Sequence, residues 1–132
     1  MGALIDTSVL VAVERGALSR SDLIGRAGDE AALSVVTASE LLHGVHRADS
    51  ARKRVRRERF VEAILAELRV LPVDLDVART HAQIWADLRA RRVSVGAHDL
   101  LIAATALVHG LAVATRNVRE FRQVEGLSVE VW

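Results

Sequence analysis

Apolar residues along this chain fall into two patterns, short continuous blocks and longer segments with helical spacing. Short blocks bounded by polar residues are typical of buried strands, whereas apolar positions three or four residues apart predict amphipathic helices. We predict strands at 2–5, 31–36, 70–73, 111–114 and 129–132. We predict helices at 7–14, 19–27, 50–68, 75–91 and 98–109, one beginning at Thr37, and a helical turn at 117–122. Strands that alternate with helices indicate an α/β fold with a parallel sheet covered on both faces.

Details of the pattern refine this architecture at three places. The helix at 50–68 has an apolar stripe formed by Val55, Phe60, Ile64 and Leu68. In the helix at 75–91, Trp85 belongs to the apolar positions. Pro72 is the only proline, and a proline within a strand indicates an edge strand or a strand end.

Length and composition indicate one domain over residues 1–132, because no linker or low-complexity segment divides the chain. Hydrophobic residues make up 51% of the sequence, which is ample for a single core. The absence of cysteine excludes disulfides, thiolate zinc sites and a thiol nucleophile. No segment has the length and apolarity of a membrane span or the pattern of a signal peptide, so we expect a cytoplasmic protein.

Acidic and amide side chains stand where predicted strands give way to helices. Asp6 follows the first strand, Glu40 lies early in the helix after the second, and Asp99 lies at the start of a nearly all-apolar helix. Asn117 and Glu120 follow the fourth strand. In parallel sheets ligands bind beyond the carboxyl ends of the strands, where these residues are expected to meet. Carboxylates gathered there predict a magnesium site.

Each acid also has a structural explanation. Asp6 suits a helix N-cap, Thr37-x-x-Glu40 fits a capping box, and Asp99 in a first turn is favoured by the helix dipole. Together, however, the acids favour a metal site. Burying unpaired carboxylates is costly, and a bound cation removes that cost.

Four motifs in this order and at these separations resemble the PIN-domain ribonucleases, and specifically the VapC-type toxins of toxin–antitoxin pairs. The motifs are Asp6-Thr7-Ser8, Thr37-x-x-Glu40-Leu41, His98-Asp99-Leu100-Leu101-Ile102-Ala103-Ala104-Thr105 and Thr115-Arg116-Asn117-x-x-Glu120-Phe121. The resemblance covers nearly the whole chain. It implies a three-layer α/β/α sandwich with a central, mainly parallel sheet. It also implies a homodimeric endoribonuclease that uses Mg²⁺ or Mn²⁺ and is inhibited by a cognate antitoxin protein.

Carried over by position, the resemblance makes Asp6, Glu40 and Asp99 the catalytic acids and metal ligands. Many family members have a fourth acid at the position of Asn117, where this chain has a neutral amide. Either the Asn117 carbonyl binds a metal-bound water or Glu120 supplies the missing charge. We expect Asp6 and Asp99 to bind one Mg²⁺, with Glu40 bound directly or through the water that it orients or deprotonates.

Polar and basic residues near these acids are candidates for supporting roles. Three hydroxyls either hydrogen-bond the carboxylates or cap helices: Thr7, Ser8 and Thr115. Six of the eight residues at 52–59 are basic, so this segment is far more positive than the net charge of +1 suggests. Such a segment favours binding to a polyanion. The candidate contacts to RNA phosphates are Arg116, Arg52, Lys53 and Arg56. The alternatives are a solvated helix face, an acidic antitoxin segment and, for Arg116, a surface salt bridge.

A second class of function fits the same acids: a non-catalytic or degenerate Mg²⁺-binding α/β domain that binds RNA or protein. A receiver-like signalling domain fits less well, because no acidic pair lies near Asp6 and the only lysine is Lys53.

Overall fold

The structure is a computed structural model. It describes residues 1–132, except for the side chain of Asp29. The described residues form five strands, which are β1 (Ala3–Ile5), β2 (Ala31–Ser34), β3 (Arg69–Leu71), β4 (Ala112–Thr115) and β5 (Val129–Val131). The seven α-helices are α1 (Thr7–Glu14), α2 (Arg20–Ala27), α3 (Val35–His46), α4 (Ala51–Glu67), α5 (Leu75–Ala90), α6 (Ala97–His109) and α7 (Val118–Phe121). A 3-10 turn at Gly28–Glu30 precedes β2.

All five strands belong to one sheet in the order β3-β2-β1-β4-β5, and every neighbouring pair is parallel. The central strands β1 and β4 are buried throughout, which explains why they appear in the sequence as continuous apolar runs. Pro72 directly follows the edge strand β3, where its missing N–H is tolerated. The predicted parallel sheet is confirmed.

Apolar side chains form a separate core on each face of the sheet. One core contains Ile5, Leu10, Leu33, Leu41 and Ile64, and so joins the sheet to helices α1, α3 and α4. The other core contains Leu4, Leu71, Ile102, Val113 and Phe121, and so joins the sheet to α6 and α7. Successive strand residues point to opposite faces, which places Leu4 and Ile5 in different cores. The α/β/α sandwich is confirmed.

The junction between β2 and α3 differs from the prediction. The strand ends at Ser34, and α3 begins at Val35 instead of Thr37. Ser34 is the N-cap, and its hydroxyl accepts a hydrogen bond from the backbone N–H of Val36 at 3.0 Å. Thr37 is fully buried, and its hydroxyl has no hydrogen-bond partner among the described atoms, so the predicted capping box with Glu40 does not form.

Two predicted apolar positions lie at the surface. Val55 is exposed on α4, where Val61 and Ile64 face the core instead. Trp85 on α5 is 51% exposed, whereas Trp132 at the chain end is only 8% exposed and donates its ring N–H to Glu130 at 3.0 Å. None of the helices in residues 1–132, as the structure describes them, has both the length and the apolar character needed to cross a membrane.

Candidate active site

Asp6 lies at the carboxyl end of β1 and is 4% exposed. Its Oδ2 accepts hydrogen bonds from Ser8 Oγ at 2.7 Å and from Thr115 Oγ1 at 2.9 Å. Asp6 occupies the N-cap position of α1, but its carboxylate makes no capping hydrogen bond. Capping therefore does not explain a buried carboxylate at this position. The hydroxyls hold one oxygen of Asp6 and fix its orientation.

The same hydroxyls join the ends of β1 and β4. Ser8 Oγ lies 3.3 Å from Thr115 Oγ1 and accepts a hydrogen bond from the backbone N–H of Arg116 at 3.0 Å. The Thr115 hydroxyl also accepts from the backbone N–H of Asn117 at 2.8 Å. This network holds the loop after β4 against the start of α1, and therefore holds Asp6 in place.

Glu40 lies in the second turn of α3, next to the start of α1. Its Oε1 accepts a hydrogen bond from Thr7 Oγ1 at 2.8 Å. Its Oε2 lies 3.7 Å from Nδ1 of the exposed residue His98. Glu40 is thus oriented by residues at the starts of α1 and α6, and its partly exposed carboxylate borders the space between these helices.

Asp99 and Glu120 meet near Gly96. The backbone N–H of Gly96 donates to Glu120 Oε2 at 3.4 Å. A Cβ atom added to Gly96 would lie 3.6 Å from Glu120 Oε2 and 3.8 Å from Asp99 Oδ2. The absence of a side chain at Gly96 thus leaves room for two carboxylates, one from α6 and one from α7.

The acids influence one another strongly at Asp99. Burial is the main reason that the pKa of Asp99 rises from 3.8 to about 7, followed by a side-chain hydrogen bond with Glu120. Repulsion from the carboxylates of Asp6, Glu120 and Glu40 raises the pKa further. Negative charge from four separate elements is therefore concentrated at one end of the sheet.

Asn117 and Arg116, unlike these acids, lie at the surface. Both are exposed, and among the described residues neither side chain makes a hydrogen bond. The structure therefore brings Glu120, and not the Asn117 amide, into hydrogen-bonding contact with Asp99. Glu120 was an alternative in the sequence analysis. Its position next to Asp99 depends on the short helix α7, which places Glu120 one helical turn beyond Asn117.

The basic residues of α4 border a groove of about 1210 Å³ that reaches Glu40. Thr7 and Glu40 line one end of the groove, and Lys53 and Arg56 line the α4 side. Lys53 also forms an exposed ion pair with Asp49 at 3.2 Å. Arg52 lines a separate surface depression with Arg56, so it does not face the acids through this groove.

Arg57 is a structural residue that the sequence analysis did not single out. Its Nε donates to Glu14 Oε1 at 3.0 Å, and Nη1 donates to the carbonyl of Gly44 at 2.8 Å. It thereby ties α4 to α1 and α3, which carry the groove wall and Glu40. Among the six basic residues at 52–59, nothing in the sequence distinguishes it from its neighbours.

The donor chemistry of the site fits a hard divalent cation. The candidate donors are carboxylate oxygens, which Mg²⁺ and Mn²⁺ prefer, and Oδ1 of Asp6 has no hydrogen-bond partner among the described residues. A cation would also relieve the repulsion that raises the pKa of Asp99. Across the described part of the chain, no three acidic or histidine side chains close around one point. The carboxylates line an open cleft.

Comparisons with known proteins agree with this architecture. Residues 3–127 match the PIN domain family. The chain is 38% identical to "Ribonuclease VapC1" of Rickettsia felis over 129 residues, covering 98% of this chain and 95% of that protein. It is 33% identical over 100 residues to the "tRNA(fMet)-specific endonuclease VapC" of Salmonella typhimurium, covering 76% of this chain and 74% of that protein.

A solved structure of a VapBC complex has the same fold as this chain. The crystal structure of DNA-bound VapBC from Salmonella typhimurium matches 100% of this chain and 98% of that chain, with a TM-score of 0.90 and 27% identity. The resemblance inferred from the four sequence motifs is confirmed. The chain belongs to the PIN domain family and has VapC ribonucleases among its relatives.

Proposed function

We propose that this protein is a metal-dependent endoribonuclease toxin of VapC type that hydrolyses RNA phosphodiester bonds. The observation that carries the proposal is the gathering of Asp6, Glu40 and Asp99 at one sheet edge, where the pKa of Asp99 is raised to about 7. The names of the relatives, which include a ribonuclease and a tRNA-specific endonuclease, support the same activity. In this proposal residues 1–132 are a single catalytic domain that works in the cytoplasm, where its RNA substrate is found.

Four carboxylates are candidates to hold the metal, directly or through bound water, and we take that metal to be Mg²⁺ or Mn²⁺. Asp6 would offer its unpartnered Oδ1, Asp99 and Glu40 would add carboxylate oxygens, and Glu120 would replace the acid that Asn117 does not supply. When bound, a divalent cation acidifies water and neutralises charge on the phosphoryl oxygens. Ser8, Thr115 and Thr7 keep the carboxylates oriented through their hydroxyls.

The protein residues have distinct roles during hydrolysis. Thr7 occupies Oε1 of Glu40, which leaves Oε2 to accept a proton from the attacking water. The water oxygen bonds to phosphorus, and the bond from phosphorus to the 3′ oxygen breaks. The leaving 3′ oxygen takes a proton from solvent, and the products carry a 5′-phosphate and a 3′-hydroxyl.

Basic residues would hold the RNA backbone on either side of the cleft. Lys53 and Arg56 border the groove that leads to Glu40, and exposed Arg116 follows β4 beside Asp6. Arg52 would contact the backbone only where RNA extends past the groove. Phosphate contacts of this kind make binding fall steeply with salt.

A cognate antitoxin is the second partner in this proposal. Similar solved structures are VapBC complexes from Rickettsia felis and Salmonella typhimurium, and both of these are bound to DNA. An acidic antitoxin segment would compete with RNA for the basic wall of the groove. We further propose a homodimer, for which exposed Trp85 on α5 is a candidate contact.

A non-catalytic Mg²⁺-binding module remains the alternative. It is favoured by one observation, namely that the described acidic side chains do not close around a single point. Such a module would bind Mg²⁺ and RNA without cutting it.

Cleavage of total bacterial RNA by the purified protein separates the two functions. We expect discrete cuts in Mg²⁺ that disappear in EDTA and in an Asp6→Asn variant, because Asn keeps the shape and the hydroxyl contacts but loses the charge. Asp22→Asn is the matched control, since Asp22 is exposed on α2 away from the cleft. Circular dichroism checks the fold of each variant. Full cleavage by Asp6→Asn, or Mg²⁺ binding without cleavage by the wild type, would contradict the proposal.

A further inference from the structure

A pocket of about 450 Å³ lies beside Glu120, on the side away from the α4 groove residues. It is formed by the segment after α5 and by α7 with the residues that follow it. The lining residues are Arg92, Val93, Ser94, Arg119, Glu120 and Gln123. Glu120 also borders Asp99 across Gly96, so the pocket adjoins the acidic cleft directly.

Arg92 occupies an unusual backbone position in this pocket. Its φ is +57°, and it is the one described residue other than glycine with a positive φ. The left-handed conformation at a helix end favours glycine, and other residues are strained there. Among the described residues, the Arg92 side chain makes no hydrogen bond or ion pair within the chain. No intramolecular hydrogen bond or ion pair therefore accounts for an arginine at this position.

Arg91, the preceding residue, has a structural role, which its contacts show. It pairs with Asp87 Oδ2 at 2.8 Å and donates to the carbonyl of Gln123 at 2.6 Å. Arg91 thereby fixes the end of α5 against the segment after α7. Arg92 follows this anchored residue, so its backbone is held while its side chain is exposed at the pocket.

Arg119 supplies a second positive charge from α7. It is exposed and, within the described side chains, has no ion-pair partner. Ser94 and Gln123 add polar groups, and the only acid lining the pocket is Glu120, which is engaged with Asp99 and the Gly96 N–H. Two unpaired guanidinium groups beside an engaged carboxylate make a site for an anion with several oxygens, and guanidinium groups pair well with phosphate.

We propose that this pocket binds a backbone phosphate of the RNA, next to the one that is hydrolysed, through Arg92 and Arg119. This inference rests on the proposed ribonuclease function. It places a substrate contact on the opposite side of the acids from the α4 groove. The RNA backbone then runs from the basic wall of α4, across the acids, to Arg92 and Arg119.

The backbone conformation of Arg92 allows a substitution that distinguishes phosphate binding from a structural role. Glycine adopts a φ of +57° without strain, so Arg92→Gly removes the guanidinium group while keeping or improving stability. We expect its denaturant midpoint to equal or exceed that of the wild type. We also expect a rise in KM for RNA with little change in kcat, because the phosphate contact is made equally in the ground state.

The experiment measures initial rates of total RNA cleavage in Mg²⁺ at several salt concentrations, over RNA concentrations below and above KM so that kcat and KM are obtained separately. The proteins are the wild type, Arg92→Gly, Arg119→Ala and the control Arg26→Ala, which removes an exposed arginine of α2 that lines none of the described pockets near the acids. We expect kcat/KM to fall about tenfold in each pocket variant. The slope of log rate against log salt should become shallower by about 0.7 per arginine. The control should match the wild type.

The possible failures are distinguishable. If the wild type cleaves RNA and both pocket variants retain the rate and salt slope of Arg26→Ala, the pocket is not a phosphate site and the ribonuclease proposal stands. If the wild type does not cleave RNA under any condition, the ribonuclease proposal fails and this inference fails with it. A destabilised Arg92→Gly would overturn the argument for Arg92, and Arg119→Ala then decides whether the pocket binds phosphate.

Discussion

Replacing Asp99 with asparagine should stabilise the protein when no metal is present. The pKa of this carboxyl rises from 3.8 to about 7 on folding, because the ionised form is buried among other carboxylates. A rise of this size corresponds to about 4 kcal/mol of folding free energy for a fully shielded group. Asp99 is only half-buried, and solvent screening reduces the expected effect to about 2 kcal/mol. Asparagine keeps the hydrogen-bonding shape and carries no charge.

The pH dependence of the effect has a definite sign. A raised carboxyl pKa means that the folded protein holds its proton where the unfolded chain has already lost it. The stability associated with the protonated form is fully present below 3.8 and is lost as the pH rises through about 7. The advantage of Asp99→Asn should therefore be largest near about pH 8 and shrink toward about pH 5.

Urea denaturation in EDTA at both pH values measures this difference, with Asp22→Asn as the exposed control. Adding Mg²⁺ should make the wild type more stable than Asp99→Asn. A bound cation stabilises the wild type, whereas the variant lacks one of the carboxylate ligands. An Asp99→Asn protein that is less stable than the wild type at the higher pH, without metal, would refute the account of charge crowding at this site.

Three further substitutions test other parts of the site. Thr115→Val should cost about 1–3 kcal/mol in urea denaturation, because buried Asp6 loses a hydrogen-bond donor; an unchanged midpoint would contradict this. Glu120→Gln should lower the pKa of Asp99, because Glu120 raises it by hydrogen bonding and by repulsion. Carboxyl titration by NMR in EDTA measures this, and an unshifted curve would remove Glu120 from the cluster. Phe121→Ala should destabilise the fold by about 3–5 kcal/mol, because its fully buried ring anchors α7; a smaller loss in denaturation would show that α7 is not held by this contact.

The architecture follows from the sequence because the apolar runs are short and separated by amphipathic segments. The runs that form β1 and β4 are buried on both faces, and strands of this kind appear in a sequence as continuous apolar blocks. The end of β2 was misplaced because Val35 and Val36 extend the apolar run, while Ser34 and Thr37 are both suitable helix caps. Only the hydrogen bond from the backbone N–H of Val36 to the Ser34 hydroxyl distinguishes them.

The site was predictable to the extent that strand ends determine it. Asp6 and Glu40 follow adjacent parallel strands, so their proximity follows from the sheet order. The choice between Asn117 and Glu120 required the tertiary structure, since α7 turns one toward solvent and the other toward Asp99. The conformation of Arg92 could not be predicted either, because a positive φ at a residue other than glycine has no signature in a single sequence.

The two tryptophans have a practical consequence for spectroscopy, since the chain contains no tyrosine. Trp132 is buried at the end of the sheet and reports whether the fold is intact, whereas Trp85 on α5 emits from a hydrated surface. A second protein that covers α5 would shift the emission of Trp85 toward the blue and leave that of Trp132 unchanged. Intrinsic fluorescence can therefore separate association from unfolding without any label.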